Sequence, residues 1–374
     1  MAEDNVTVDR PGGRAADGRA PDAGQALRTG ALVILAAAAV IAALHLGKLL
    51  VISFVLSVIL FSLMSDAIAA LDSPRNRFLR LPAGVATVVV SVAVVLLILL
   101  LAVLVVSQIT WLVSTGISAT GVMSRAAADL FGWLGPEAER AVMTAIGSID
   151  IGRRIAGMAG QAGTILSAGI LISLFVPFLF VERRWFGVKL ARIAGDPARI
   201  GEVARRVMKR INRYLLVKGF ISAVTGVAIY VLCRAFGIEL AGFLGVVSFA
   251  LNFIPSIGTL VATALTGLVG VAQLDPPAAL ALFALASLIQ FFLGNFWDPM
   301  LLGRALRLSS FAIIVGLAFW GAIWGVAGMF LSVPLMVATM VIASEVPRLH
   351  WLAVLLSREG TPDDPVGPHS GFRP

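Results

Sequence analysis

The feature that most constrains this chain is the recurrence of apolar runs about as long as a helix must be to cross a lipid bilayer. Such runs, with few or no charges, lie at 31–47, 49–65, 83–106, 164–181, 219–235 and 278–293. A helix rises about 1.5 Å per residue, so roughly 20 residues cross a hydrocarbon core of about 30 Å. Inside lipid every backbone N–H and C=O must be bonded internally, which leaves helices and closed barrels. Barrel strands alternate apolar and polar residues, and these runs do not. The chain therefore reads as an all-α, polytopic integral membrane protein with six clear transmembrane helices. Composition agrees: 59% of the 374 residues are hydrophobic and 13% are charged, about half the charge of an ordinary soluble domain.

Two further apolar stretches, 240–272 and 311–343, behave differently. Each would be roughly 50 Å long as one helix, too long for a single crossing even when tilted. The first is interrupted at Pro255 within NFIPSIG; the second carries Gly321, Gly325 and Gly328 near its middle and Pro334 beyond. Such interruptions free backbone groups, which are tolerated at membrane depth where they are buried in protein or line a watery cavity. Paired broken segments point to a transport site, whereas two ordinary kinked helix pairs are the plainer reading. Counting both brings the expectation to about eight membrane segments.

Charge sets the expected orientation. Between 182 and 218 eleven Lys and Arg residues face three acidic ones, a bias that marks a cytoplasmic loop. Counting crossings from there places Arg75, Arg77, Arg80, Arg304 and Arg307 inside, 107–163 outside as an external insertion, and both termini in the cytoplasm. The 240–272 segment then enters from outside and 311–343 from inside. The net charge of +8 is thus a topology signal, not a nucleic-acid footprint. Residues 1–30 and 357–374 lack periodicity and are expected as disordered tails. Within the basic loop Asp196-Pro197 forms a helix start, and Ile200, Val203, Val207, Ile211 and Leu215 recur at helical spacing. Arg205, Arg206, Lys209, Arg210 and Arg213 occupy the opposite face. A helix of this kind is expected to lie on the anionic inner leaflet, contacting membrane lipid. The 107–163 region, broken at Gly132, Gly135-Pro136 and Gly152, is expected as two or three short surface helices.

Several polar residues stand out against this background. Asn252 is either an interhelical clamp or a solute contact, since a lone amide in an apolar setting needs partners. Pro255 and Gly258 shape the NFIPSIG turn, while Ser256 and Thr259 either satisfy freed carbonyls or line a path. Asp298 follows the 278–293 helix, which also presents Gln290 and Asn295. A carboxylate at a membrane boundary must be paired or wet, so Asp298 is either a functional group or the partner of nearby Arg304 or Arg307. Gly321 and Gly325 form a GxxxG step between Trp320 and Trp324, read as close helix packing or as a hinge. Enzyme signatures are missing from the sequence: it has no GxSxG, HExxH or Walker A pattern, and its three His residues lack ligand spacing. The single Cys233 supports no disulfide framework. No cofactor or metal site is expected.

Three blocks carry a resemblance. LNFIPSIG (Leu251 to Gly258), GNFWDPMLLGRALRLSS (Gly294 to Ser310) and FWGAIWGVAGMFLSVPL (Phe319 to Leu335) are similar to the conserved blocks of the AI-2E family, the autoinducer-2 exporter family. Their order and helical context match too, and the likeness extends more loosely over 31–350. The pattern more often has Glu where this chain has Asp298. Ser310 replaces a frequent Pro, as in the subgroup linked to quorum-signal transport. The resemblance implies a secondary transporter or facilitator in a bacterial inner membrane that exports a small polar solute of the autoinducer-2 type. A sodium/proton antiporter, with one of those cations as coupling ion, and a non-transporting membrane scaffold or regulator are the alternatives. Homo-oligomerisation is left open. The candidate path comprises Asn252, Pro255, Ser256, Gly258, Gln290, Asn295, Asp298, Trp320, Gly321, Trp324 and Gly325, with the two broken turns as its walls.

Overall fold

The computed structural model describes residues 23–72, 84–96, 151–193, 197–302 and 307–360, with a few isolated positions between them. The expectations for 107–150, for Arg75, Arg77, Arg80 and Arg304, and for most of both tails lie outside the described residues. Every described element is helical, apart from one isolated β-bridge. Two units are distinguished. The first, Met1–Gly47, is represented by α1 (Ala23–Leu46), which begins eight residues before the expected boundary at 31.

In the second unit, α2 (Lys48–Asp72), α3 (Gly84–Leu96) and α4 (Ile151–Ile193) pack around Met64, Ile68, Ala86, Val90, Ile172 and Val176. The 43-residue α4 runs without a break from the expected surface region into the span. Residues 151–163 are therefore not separate short helices but the first part of α4, which begins at Ile151 and runs through Gly152. Phe178, Leu174 and Ile170 of α4 point outward, as suits contact with lipid.

A second correction concerns α5 (Pro197–Ala235). The basic amphipathic stretch and the 219–235 run are one 39-residue helix, roughly 58 Å long. No helix breaker separates them: the residues from Leu215 to Gly219 are Leu-Leu-Val-Lys-Gly, and a single glycine weakens a helix only by about 1 kcal/mol. Arg205, Lys209 and Arg213 are exposed on its basic half, whereas Arg206 and Arg210 are half-buried. Arg206 and Arg199 both bond Glu345 at the end of the last long helix, Val326–Glu345.

The expected breaks are present. α6 (Ala241–Leu251) and α7 (Ile257–Gln273) form a hairpin closed by the NFIPSIG turn, and α8 (Pro276–Phe292) follows. At 11 residues α6 is about 16 Å long, too short to cross a membrane alone. It reaches α5 through facing glycines: a methyl group on Gly226 would meet the Gly245 carbonyl oxygen at 2.8 Å, and one on Gly245 would meet that of Gly226 at 2.9 Å. Ile229, Cys233, Ile238, Leu244, Leu282 and Ala286 bury the seam between α5, α6 and α8.

Beyond α8 a wide π-helical turn, Leu293–Trp297, leads into the short α9 (Asp298–Leu302). The second hairpin consists of α10 (Ser310–Trp324) and α11 (Val326–Glu345), turning at Gly325 with φ 65° and ψ −140°. The last helix, α12 (His350–Leu356), folds back so that the Ser309 N–H donates to the Leu356 carbonyl and the Arg358 N–H to that of Arg307. Five helices among the described residues are long and apolar enough to span: Lys48–Asp72, Leu166–Arg183, Ala198–Ala235, Pro276–Trp297 and Val326–Glu345. The protein is thus a multi-pass membrane protein. The apolar stretch Gly30–Leu46 of α1 and the helix Gly84–Leu96 are shorter, while Val326–Glu345, half of a broken segment, is spanning length.

Candidate functional site

The NFIPSIG turn is built by steric necessity. A methyl group added at Gly258 would lie 1.7 Å from the Leu251 carbonyl oxygen, so only glycine lets α7 fold back on α6 here. Ser256 at the head of α7 holds φ 61° and ψ −51°, an uncommon conformation for a non-glycine residue and one of the kinds that cluster at functional sites. Thr259 donates its hydroxyl to the Ser256 carbonyl, which also accepts from the Leu260 N–H. Asn252 is buried and donates from Nδ2 to Ser222 Oγ of α5 at 3.0 Å, clamping the turn to that helix.

Across from this turn, the end of α8 widens into its π-helical turn, where the Asp298 N–H reaches back five residues to the Leu293 carbonyl. Turns of this kind inside helices recur at functional sites. Between the two lies a cavity of about 610 Å³. Its polar lining comes from Asn252, Ser256, Thr259, Thr263, Ser287, Gln290, Asn295 and Asp298, joined by Lys218, with Pro255, Phe283 and Phe291 among its apolar walls.

Lys218 Nζ lies 2.6 Å from Asp298 Oδ2. The lysine side chain is 4% exposed and the aspartate 21%, so the pair is largely withdrawn from solvent while its carboxylate edge meets the cavity. Asp298 is bonded by a lysine eighty residues away, because α5 packs directly against α8 and α9; the expected partner Arg304 lies outside the described residues. Gln290 is 6% exposed, and neither its amide oxygen nor its nitrogen has a hydrogen-bond partner among the described residues; the same holds for Asp298 Oδ1. Buried polar groups are nearly always bonded to protein or water, so these atoms are poised to bond something that enters the cavity. The hydroxyls of Thr259, Thr263 and Ser287 bond carbonyls of their own helices, each keeping acceptor capacity.

Asn252, Pro255, Ser256, Gln290, Asn295 and Asp298 are thus brought together, whereas Gly258, Trp320, Gly321, Trp324 and Gly325 do not line this cavity. A methyl group on Gly321 would meet the Met329 side chain at 2.9 Å, so that glycine serves contact within its own hairpin. Trp320 and Trp324 contact each other with ring centroids 4.7 Å apart and planes tilted by 37°, and Trp324 is buried. Phe253 of the first turn packs on Phe330 of α11 at 4.7 Å, an apolar contact, and the second turn is not a wall of the cavity. Lys218, Thr263 and Ser287 were missed as site residues. Lys218 had been counted with the basic loop; its place one turn past Tyr214, at the start of an apolar run, was the available signal.

Comparison with known proteins decides the family. Residues 32–348 match the AI-2E family transporter profile. The chain belongs to the AI-2E family of transporters. Among relatives, the AI-2 transport protein TqsA of Escherichia coli is 30% identical over 208 residues, covering 53% of this chain and 57% of TqsA. A putative transport protein of Borreliella burgdorferi is 30% identical over 194 residues, covering 51% of this chain and 54% of its own length. The putative transport protein YhhT of Escherichia coli is 28% identical over 179 residues, 48% of this chain and 51% of its own length. The chain spans about half the length of these curated relatives. The family to which the chain belongs is one of transporters.

Proposed function

We propose that this AI-2E family member is a secondary transporter or facilitator that exports a small, uncharged polar solute through the cavity between the Asn252 turn and the α8–α9 junction. The observation that carries the reading is the cavity's lining: one ion pair of zero net charge, surrounded by amide and hydroxyl groups whose hydrogen-bonding capacity is partly unused. A charged solute would meet no uncompensated countercharge there; a compact hydroxylated one would find donors and acceptors on several sides. That chemistry, with the AI-2 transport protein among the relatives, supports an autoinducer-2-like signal as the solute. The topology proposed with it comprises about eight membrane segments in a bacterial inner membrane, with the basic start of α5 and both termini in the cytoplasm.

Flux of labelled solute in proteoliposomes tests this. Ser287→Trp, which fills the cavity from α8, is expected to abolish flux without loss of folded protein; undiminished flux would exclude this cavity as the path. The buried Lys218–Asp298 pair favours a second reading, sodium/proton antiport, because a carboxylate held by a lysine can exchange that partner for a cation. Proton movement driven by a sodium gradient, in the absence of organic solute, distinguishes the two. If neither solute nor cation moves, the scaffold reading gains.

A further inference from the structure

The ion pair does more than line the cavity. Lys218 belongs to a stripe of polar residues at four-residue steps along α5: Arg206, Arg210, Tyr214, Lys218 and Ser222. Residues four apart on a helix are neighbours, so the stripe winds slowly around α5 with each member beside the next. It is tied at three places. Asn252 bonds Ser222, Asp298 bonds Lys218, and Glu345 bonds Arg206.

Tyr214 lies between the second and third ties. It is 3% exposed, and its hydroxyl has no hydrogen-bond partner among the described residues. Tyr214 does not line the cavity although Lys218, one turn along, does. A phenylalanine would fill the same space without burying an unbonded hydroxyl. Another unbonded oxygen, Asp298 Oδ1, belongs to the very carboxylate that Lys218, one turn along from Tyr214, holds.

We propose that the Lys218–Asp298 pair is a gate, and that Tyr214 is the group a solute meets once the pair opens on its way towards the Arg206–Glu345 end of α5. This deepens the transport reading above and rests on it. A lysine is suited to the task because its flexible stem lets the ammonium swing away while the helix stays in place. With Lys218 withdrawn, both Asp298 oxygens and the Tyr214 hydroxyl face one continuous polar space. Hydroxyls of the solute can then replace the ammonium on Asp298 and bond Tyr214. The Arg206–Glu345 tie closes the far end of this space in the same conformation.

The test uses single cysteines in a Cys233→Ala background and a small hydrophilic thiol reagent. Ser287→Cys, on the cavity wall, is expected to react readily, and Tyr214→Cys to resist. Removing the gate with Lys218→Met plus Asp298→Asn is expected to raise Tyr214→Cys labelling by about tenfold or more, while Ile221→Cys, fully buried on the same helix, stays unreactive. Equal Tyr214→Cys labelling with and without the pair, or a parallel rise at Ile221→Cys, would overturn the gate. Tyr214→Phe supplies a readout that packing alone would not move: severalfold slower flux at an unchanged unfolding temperature is expected, and unchanged flux removes Tyr214 from the path. Modification of Ser287→Cys that leaves flux intact would instead sink the cavity reading itself, which separates the two failures.

Discussion

At the residue scale, the identity of Asp298's partner changes how the site must be probed. Asp298→Asn alone leaves the Lys218 ammonium buried without a countercharge, and breaking a buried pair from one side costs about 3–5 kcal/mol. Loss of transport in that variant would therefore mix chemistry with folding. The expected pattern is that Asp298→Asn and Lys218→Met each lower thermal stability in detergent by about that amount, and that the double variant regains most of the loss. Simple additivity of the two losses would show that the pair is not a coupled unit. Asn252→Ala removes the donor to Ser222 Oγ, a buried hydrogen bond whose loss is expected to lower stability by about 1–3 kcal/mol; no change would mean the clamp contributes nothing.

At the level of elements, the two hairpins turn for different reasons and so predict different sensitivities. Gly258→Ala places a methyl group 1.7 Å from the Leu251 carbonyl oxygen, and backbone cannot yield as a flexible side chain does. A loss of at least about 4 kcal/mol is expected, seen as failure to recover folded protein. Gly325→Ala meets no atom within 4 Å but must hold φ 65°, a strain of about 1–3 kcal/mol, so that variant is expected to fold with a lower unfolding temperature. Equal behaviour of the two would contradict this account of the turns. Both breaks were legible as Pro and Gly inside apolar stretches too long for one crossing. The continuity of α5 was not, because its basic amphipathic half and its apolar half carry different periodic signals, and only the unbroken backbone joins them.

For the whole molecule, orientation is the most consequential proposal. In a Cys233→Ala background, Arg205→Cys on the basic half of α5 and Glu239→Cys in the exposed α5–α6 connection lie near opposite ends of one long helix. An impermeant reagent added to intact cells is expected to label position 239 and spare position 205. Labelling of 205 from outside would reverse the assigned topology. Long helices such as α4 and α5 exceed the bilayer thickness, so both project into water at one end or tilt strongly.

The order of apolar runs, the two interruptions and the excess of basic residues in one loop determined from sequence alone that the chain is an all-helical membrane protein with broken segments near a candidate path. These are local properties, readable because lipid demands a minimum apolar length and an internally bonded backbone. Asn252, Gln290, Asn295 and Asp298 were visible for the same reason, as polar groups out of place in apolar surroundings. Which of them share a cavity was decided by tertiary structure. Asp298 pairs with Lys218, eighty residues away in sequence, because α5 packs against the end of α8. Trp320 and Gly321 turn away from that cavity because their hairpin closes on itself through Met329. Pairing across eighty residues depends on which helix faces are pressed together, and no local pattern records that.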